Sequence, residues 1–214
     1  MKLYLSSYRI PDLQVLSELV GKPAAKTKVG LIPNAKDYYA FRARRVKIRL
    51  VESYLRTFGF HVGVVDLAER YSRAALRDTL KKYDMLWVMG GNTFCLREAM
   101  RRSGFDKVVH QVVEDGVVFA GESAGACIAG TDLHGVERLD DVAYAGRILW
   151  DGLSLSAHDF LPHADNDGYG SDVQALLAER AGDERVVALN DNQAWIRNGD
   201  DEWKITGVKQ EMTE

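Results

Sequence analysis

A single α/β domain, residues 1–214, with a mostly parallel sheet covered by helices on both faces, is the fold this sequence predicts. Three observations predict it. Six short apolar runs of strand length recur along the chain, each bounded by polar or turn residues. Amphipathic stretches separate most of them, and a parallel crossover needs a connection of about that length, a dozen residues or more. With 214 residues, 46% of them hydrophobic and 28% charged, the chain can bury one proper core without disulfides or metals.

The first run, KLYLSS (2–7), is apolar at its centre, as befits a strand buried on both faces. PDLQVLSELVG follows, with Pro11 at a helix start and Gly21 at its end. KVGLIP (28–33) is the second strand, and the stretch from Phe41 to Phe58 has helical spacing that stops at Gly59. HVGVVD (61–66) and MLWVMG (85–90) are the third and fourth, the latter opening a glycine turn, GGNTFCL. VVFAG (117–121) is the fifth, followed across a tight turn by the helix-compatible ACIAG, and RVVALN (185–190) is the sixth. Ligands gather at the carboxyl ends of strands in such sheets, so chemistry is expected just after Gly90, Gly121 and Leu161.

Composition narrows the partners. A net charge of −3 leaves no electrostatic footprint for nucleic acid, and the five positive charges of FRARRVKIR (41–49) read as a solvated helix face. No run approaches the roughly 18 apolar residues of a membrane span. Two cysteines are too few for a disulfide framework, and no long apolar segment follows Lys2, so the expected compartment is the cytoplasm. A small molecule is the expected partner, and self-association into a homodimer stays open.

The stretch GESAGA (121–126) carries the strongest chemical signal. A serine on a sharp strand-to-helix turn needs small neighbours so that the two backbones can pass closely, and Gly121, Ala124 and Gly125 supply them. Such a turn lifts the Ser123 hydroxyl above the sheet and aims the Ala124 N–H, at a helix start, toward a negative oxygen forming beside it. Gly91, in the other glycine turn, is the candidate for the second oxyanion donor. Asn92 could hold a substrate carbonyl or amine, and equally could cap the helix that follows. The carboxylate of Glu122 must point away from the oxyanion hole, and pairing with a substrate amine is one use for it.

A serine needs a base to take its proton, and histidine is the usual one. Of five histidines, His163 follows the Leu-Pro that should end a strand in LSLSAHDFLPH, which puts it at a carboxyl edge like the serine. His158 is the fallback. The imidazole in turn needs a carboxylate to fix its tautomer, and the loop GVERLDDVAY (135–144) offers Glu137, Asp140 and Asp141 without separating them. His158 and His163 stand five apart across a proline, which is not metal-ligand spacing on a helix, so neither a metal nor another cofactor is expected.

Together, GESAGA, GGNTFCL and LPHAD resemble the peptidase E and cyanophycinase family of serine peptidases, with the three motifs in family order and similarity from about residue 3 to residue 197. The resemblance implies a class I glutamine-amidotransferase-like α/β fold, no metal, and cleavage of a small peptide by a Ser-His-acid triad. Carried over by motif, Ser123 matches the nucleophile and His163 the base, and an ungapped match of LSLSAHDFLPH puts Asp141 at the triad acid, with Glu137 still open. Aspartyl dipeptidases of the family grip the substrate's side-chain carboxylate with an arginine soon after the histidine motif. Here NDGYGSDVQALLAER has no basic residue before Arg180, so strict preference for N-terminal Asp is not expected.

Overall fold

The computed structural model describes residues 1–69 and 71–206. Five parallel strands form the centre: β1 (Lys2–Ser6), β2 (Lys28–Ile32), β3 (His61–Val64), β4 (Met85–Val88) and β5 (Val118–Glu122). Two further strands, β6 (Asp159–Leu161) and β7 (Val186–Ala188), pair with each other in a small parallel sheet of their own. β8 (Gln193–Asn198) and β9 (Asp201–Thr206) then extend the main sheet antiparallel beyond β1, giving the order β3-β2-β4-β5-β1-β8-β9. The sheet is mostly parallel, as expected. The run at 185–190, however, leaves the main sheet, and the hairpin of β8 and β9 is an addition to the expected set.

The helices are α1 (Leu13–Val20), α2 (Phe41–Thr57), α3 (Arg73–Leu80), α4 (Thr93–Ser103), α5 (Val109–Glu114), α6 (Ala124–Cys127) and α7 (Gly170–Glu179). Asp12 rather than Pro11 opens α1, its carboxylate accepting from the Val15 N–H, and Gly21 closes the helix in the left-handed conformation. Both sheet faces are covered, which is why the strands read as continuous apolar runs. Leu3, Leu5, Leu86, Val88 and Phe119 pack with Leu76, Leu96, Val112 and Ala126 from α3 to α6. Their strand neighbours Tyr4, Met85, Trp87 and Val118 point the other way, onto Leu16 and Leu19 of α1 and Ile48 and Leu55 of α2. Among the basic residues of α2, Arg44 pairs with Asp37 (2.7 Å) and Asp66 (2.8 Å), while Arg42, Arg45, Lys47 and Arg49 are exposed. No helix among the described residues is long and apolar enough to cross a membrane.

The turn between β5 and α6 requires its glycines. A Cβ on Gly121 would run into the carbonyl of Gly125, and one on Gly125 into the carbonyl of Val88. In both cases the obstacle is backbone, which cannot rotate aside. Gly121→Ala is therefore expected to cost about 3 kcal/mol, at the upper end for overpacking, and to lower Tm by roughly 6–12 °C. Thermal denaturation of the variant checks this, and an unchanged Tm would mean the turn is looser than drawn.

Candidate active site

Ser123 sits in the turn just made, at φ 52° and ψ −114°, a backbone conformation that a non-glycine residue adopts only when its surroundings impose it. They do so from both sides. The Ser123 N–H donates to the Ser6 carbonyl (3.0 Å), and its own carbonyl accepts from Ala126 (2.7 Å) and Cys127 (3.0 Å). The side chain is thereby pushed up beside Gly90, where a Cβ would stand 3.0 Å from the Ser123 Cβ.

The imidazole arrives from the second, smaller sheet. β6 ends at Leu161, and after Pro162 comes His163 with φ 65°. Its N–H donates to the Ser7 hydroxyl (2.7 Å), at the carboxyl end of β1. Its ring leans on Tyr169, with centroids 5.2 Å apart. Held this way, His163 Nε2 stands 2.9 Å from Ser123 Oγ, and Nδ1 stands 2.5 Å from Asp191 Oδ1. Asp191 lies in the short connection between β7 and β8. Its backbone is fixed by its N–H donating to Asp165 (2.7 Å), and its side chain accepts from Asn166 Nδ2 (2.9 Å) and the Ser7 hydroxyl (2.9 Å).

The three residues open onto a cavity of about 590 Å³, within the range of small-molecule sites. Gly91 and Ala124 line it. Gly91 has φ 147°, where any Cβ would meet the Ala35 carbonyl. Among the described residues neither its N–H nor that of Ala124 has a hydrogen-bond acceptor. Both donors thus remain free for a ligand.

The match to known proteins is extensive. The family model for peptidase family S51 covers residues 7–205. The chain belongs to this family. It is 30% identical over 146 residues to the uncharacterized peptidase Lmo0363 of Listeria monocytogenes, covering 68% of this chain and 71% of that one. It is 26% identical over 157 residues to peptidase E of Pasteurella multocida, covering 73% and 60%. A crystal structure of a peptidase E-type protein from Listeria monocytogenes EGD-e superposes with TM-score 0.82 over 96% of this chain and 98% of that one, at 24% identity. A peptidase from an acI-B1 Actinobacterium shares the fold at 15% identity, with TM-score 0.70 over 97% and 95%. Membership makes this chain a serine-type peptidase of the peptidase E family.

Two expected site residues of this S51 peptidase lie elsewhere. The carboxylate beside His163 is that of Asp191. Asp141 instead caps a short turn, accepting from the Ala143 N–H (2.9 Å). Its carbonyl accepts from Asn92 Nδ2 (2.8 Å) while Asn92 Oδ1 accepts from the Cys95 N–H (2.9 Å), so the Asn92 amide is spent on capping α4 and pinning this loop. Asp140 lines the cavity, its Oδ2 accepting from the Thr93 N–H (2.8 Å) and hydroxyl (2.6 Å); burial nevertheless pushes its carboxyl above the usual range. Glu137 turns back on the Gly135 N–H (2.6 Å), and the fallback base His158 packs near Phe160 and Trp195. Ser7, Asn166 and Asp191 were missed. Ser7 closes the first apolar run and Asp191 follows the run at 185–190, so a strand-end position makes both candidates, but only the pairing of β6 with β7 brings Asp191 to His163.

Glu122 borders the cavity, but its carboxylate points into the protein. It accepts from the N–H groups of Arg9 (3.2 Å) and Gly90 (3.5 Å). Burial raises its carboxyl above the usual range, opposed by the Gly90 bond and by Lys36 and Arg9 nearby. Because a raised carboxyl costs stability as pH climbs through its folded value, Glu122→Gln is expected to keep or gain thermal stability at pH 8. An amide cannot accept from both N–H groups, however, so the Gly90-Gly91 turn loses a tether. We expect kcat to fall by about tenfold with KM little changed. Equal rates for variant and wild type would assign Glu122 no part in holding that turn.

Proposed function

We propose that this S51 peptidase hydrolyses short peptides through an acyl-enzyme, with Ser123, His163 and Asp191 as its triad. The observation that carries this reading is the unbroken contact sequence from Ser123 Oγ to His163 Nε2 and from His163 Nδ1 to Asp191. His163 takes the hydroxyl proton as Ser123 attacks the peptide carbonyl, and Asp191 accepts from Nδ1–H, fixing the tautomer and stabilising the imidazolium. The carbonyl oxygen, now negative, is met by the N–H groups of Gly91 and Ala124. Collapse of the tetrahedral intermediate sends the proton from His163 to the leaving amine. Water then attacks the Ser123 ester while the same imidazole takes its proton; collapse of this second intermediate breaks the bond to Ser123 Oγ, which His163 reprotonates, and the free acid leaves.

Free N–H donors beside a small cavity suit a peptide of a few residues better than a folded protein. The test is a dipeptide and tripeptide library offered alongside p-nitrophenyl esters, with fluorophosphonate labelling followed by peptide mapping. Peptide turnover together with adduct formation on Ser123 is the expected result. Turnover of esters alone would make the protein an esterase, and no labelling of folded protein would leave it a binding module.

A further inference from the structure

Lys36 is the one lysine or arginine among the described residues that line the cavity above Ser123. It ends a single turn, Asn34–Lys36, that follows β2 at the carboxyl edge of the sheet. That turn is tied to the glycine turn of the site. The Ala35 carbonyl accepts from the Asn92 N–H (2.8 Å) and abuts Gly91, and buried Asn34 holds Asp37 and Asp66 (both 2.9 Å) and the Leu67 N–H (3.0 Å). The base of the Lys36 side chain is therefore fixed relative to the oxyanion donors.

Its ammonium is unlike the other buried cations. Arg44, Arg97 and Arg180 each hold two carboxylates within 3.3 Å. Lys36 is half-buried, and among the described residues its ammonium has no ion pair or hydrogen bond. Glu122 and Asp140 act on it from a distance, while burial pulls its pKa below the ordinary lysine value. Withdrawing an ammonium from water without a partner is costly, and an anion arriving in the cavity would offset that cost. Tyr38 and Tyr39 flank it on the cavity wall and add polar hydroxyls. Asp140 and Asp191 on the other walls make the cavity unwelcoming to a polyanion, so a ligand with a single carboxylate suits it better.

We propose that Lys36 binds a carboxylate of the short peptide that this site takes, either the C-terminal group or an acidic side chain. This rests on the peptidase reading of the cavity, but its test reads binding without turnover. Ser123→Ala protein, with Lys36 intact, changed to Met or changed to Arg, is titrated calorimetrically with alanyl-alanine, alanyl-alaninamide and aspartyl-alaninamide. The expected result is a loss of about ten- to a hundredfold in affinity for a carboxylate-bearing ligand on Lys36→Met. Lys36→Arg should recover most of it, and alanyl-alaninamide should bind all three proteins alike. Loss confined to alanyl-alanine assigns the C-terminal group, and loss confined to aspartyl-alaninamide assigns the side chain; either supports the proposal. Equal loss for all three ligands, or none, overturns it. If Lys36-dependent binding holds while wild-type protein cleaves no peptide, the hydrolytic reading fails and the carboxylate site stands.

Discussion

Ser123→Ala is expected to lower peptide turnover by about a millionfold while the protein stays folded. The first half follows from the geometry: His163 Nε2, 2.9 Å away, would face a methyl group, and among the described residues no other hydroxyl contacts that nitrogen. What remains is whatever the Gly91 and Ala124 N–H groups contribute to a water attack. The second half follows from what the hydroxyl does for the fold. Its hydrogen bond goes to the His163 imidazole, and the turn is held by backbone bonds that alanine keeps. Alanine also keeps the unfavourable φ of 52°. Glycine would not, so Ser123→Gly should be as inactive as Ser123→Ala and yet more stable than it by about 1 kcal/mol. Rates from both variants, with their denaturation midpoints, check the two claims together. A Gly variant less stable than the Ala variant would mean the turn carries no strain, and an active Ala variant would remove Ser123 from the chemistry.

How far the sequence discloses this site depends on whether a residue is placed by local pattern or by pairing between distant segments. The five parallel strands were legible because burial on both faces makes them continuous apolar runs, and their observed ends fall within two residues of the expected ones. Ser123 was legible because a tight strand-to-helix turn demands small residues at 121, 124 and 125, and His163 because Leu-Pro ends the strand before it. Asp191 was not. It reaches His163 only because β6 and β7 lie side by side, Leu161 opposite Ala188, and register between segments 27 residues apart leaves no local mark. The ungapped match to Asp141 failed for the same reason: a loop can carry a well-spaced carboxylate and fold it away, as the cap on Ala143 does. β8 and β9 were overlooked because their runs mix charges with Trp195 and Trp203, although the two-residue Gly199-Asp200 connection between them is a hairpin signal.

Choosing between Asp191 and Asp141 is also the second large effect. Asp191→Asn is expected to lower kcat by about 10³–10⁴ at neutral pH. The amide can offer His163 Nδ1 an NH2 in place of an acceptor, which stabilises the tautomer with its proton on Nε2 and leaves no lone pair for the Ser123 hydroxyl. Asp141→Asn keeps the Oδ1 that accepts from Ala143, and a change of less than about threefold is expected there. The opposite ranking would restore Asp141 and sink the assignment. A stability measurement adds a second handle. Burial opposes ionisation of Asp191, but hydrogen bonds from Asn166, the His163 ring and Ser7 outweigh it, so its folded carboxyl lies below the usual aspartate range. A depressed carboxyl contributes stability that is fully present above its unfolded value, about pH 4, and is lost as pH falls through the folded one. Wild type should therefore exceed Asp191→Asn in Tm at pH 6, with the gap closing below about pH 4. A gap that stayed constant from pH 6 to pH 3 would show that the carboxylate's charge is not what those three donors hold. The variant's loss of activity would then have to come from displaced geometry.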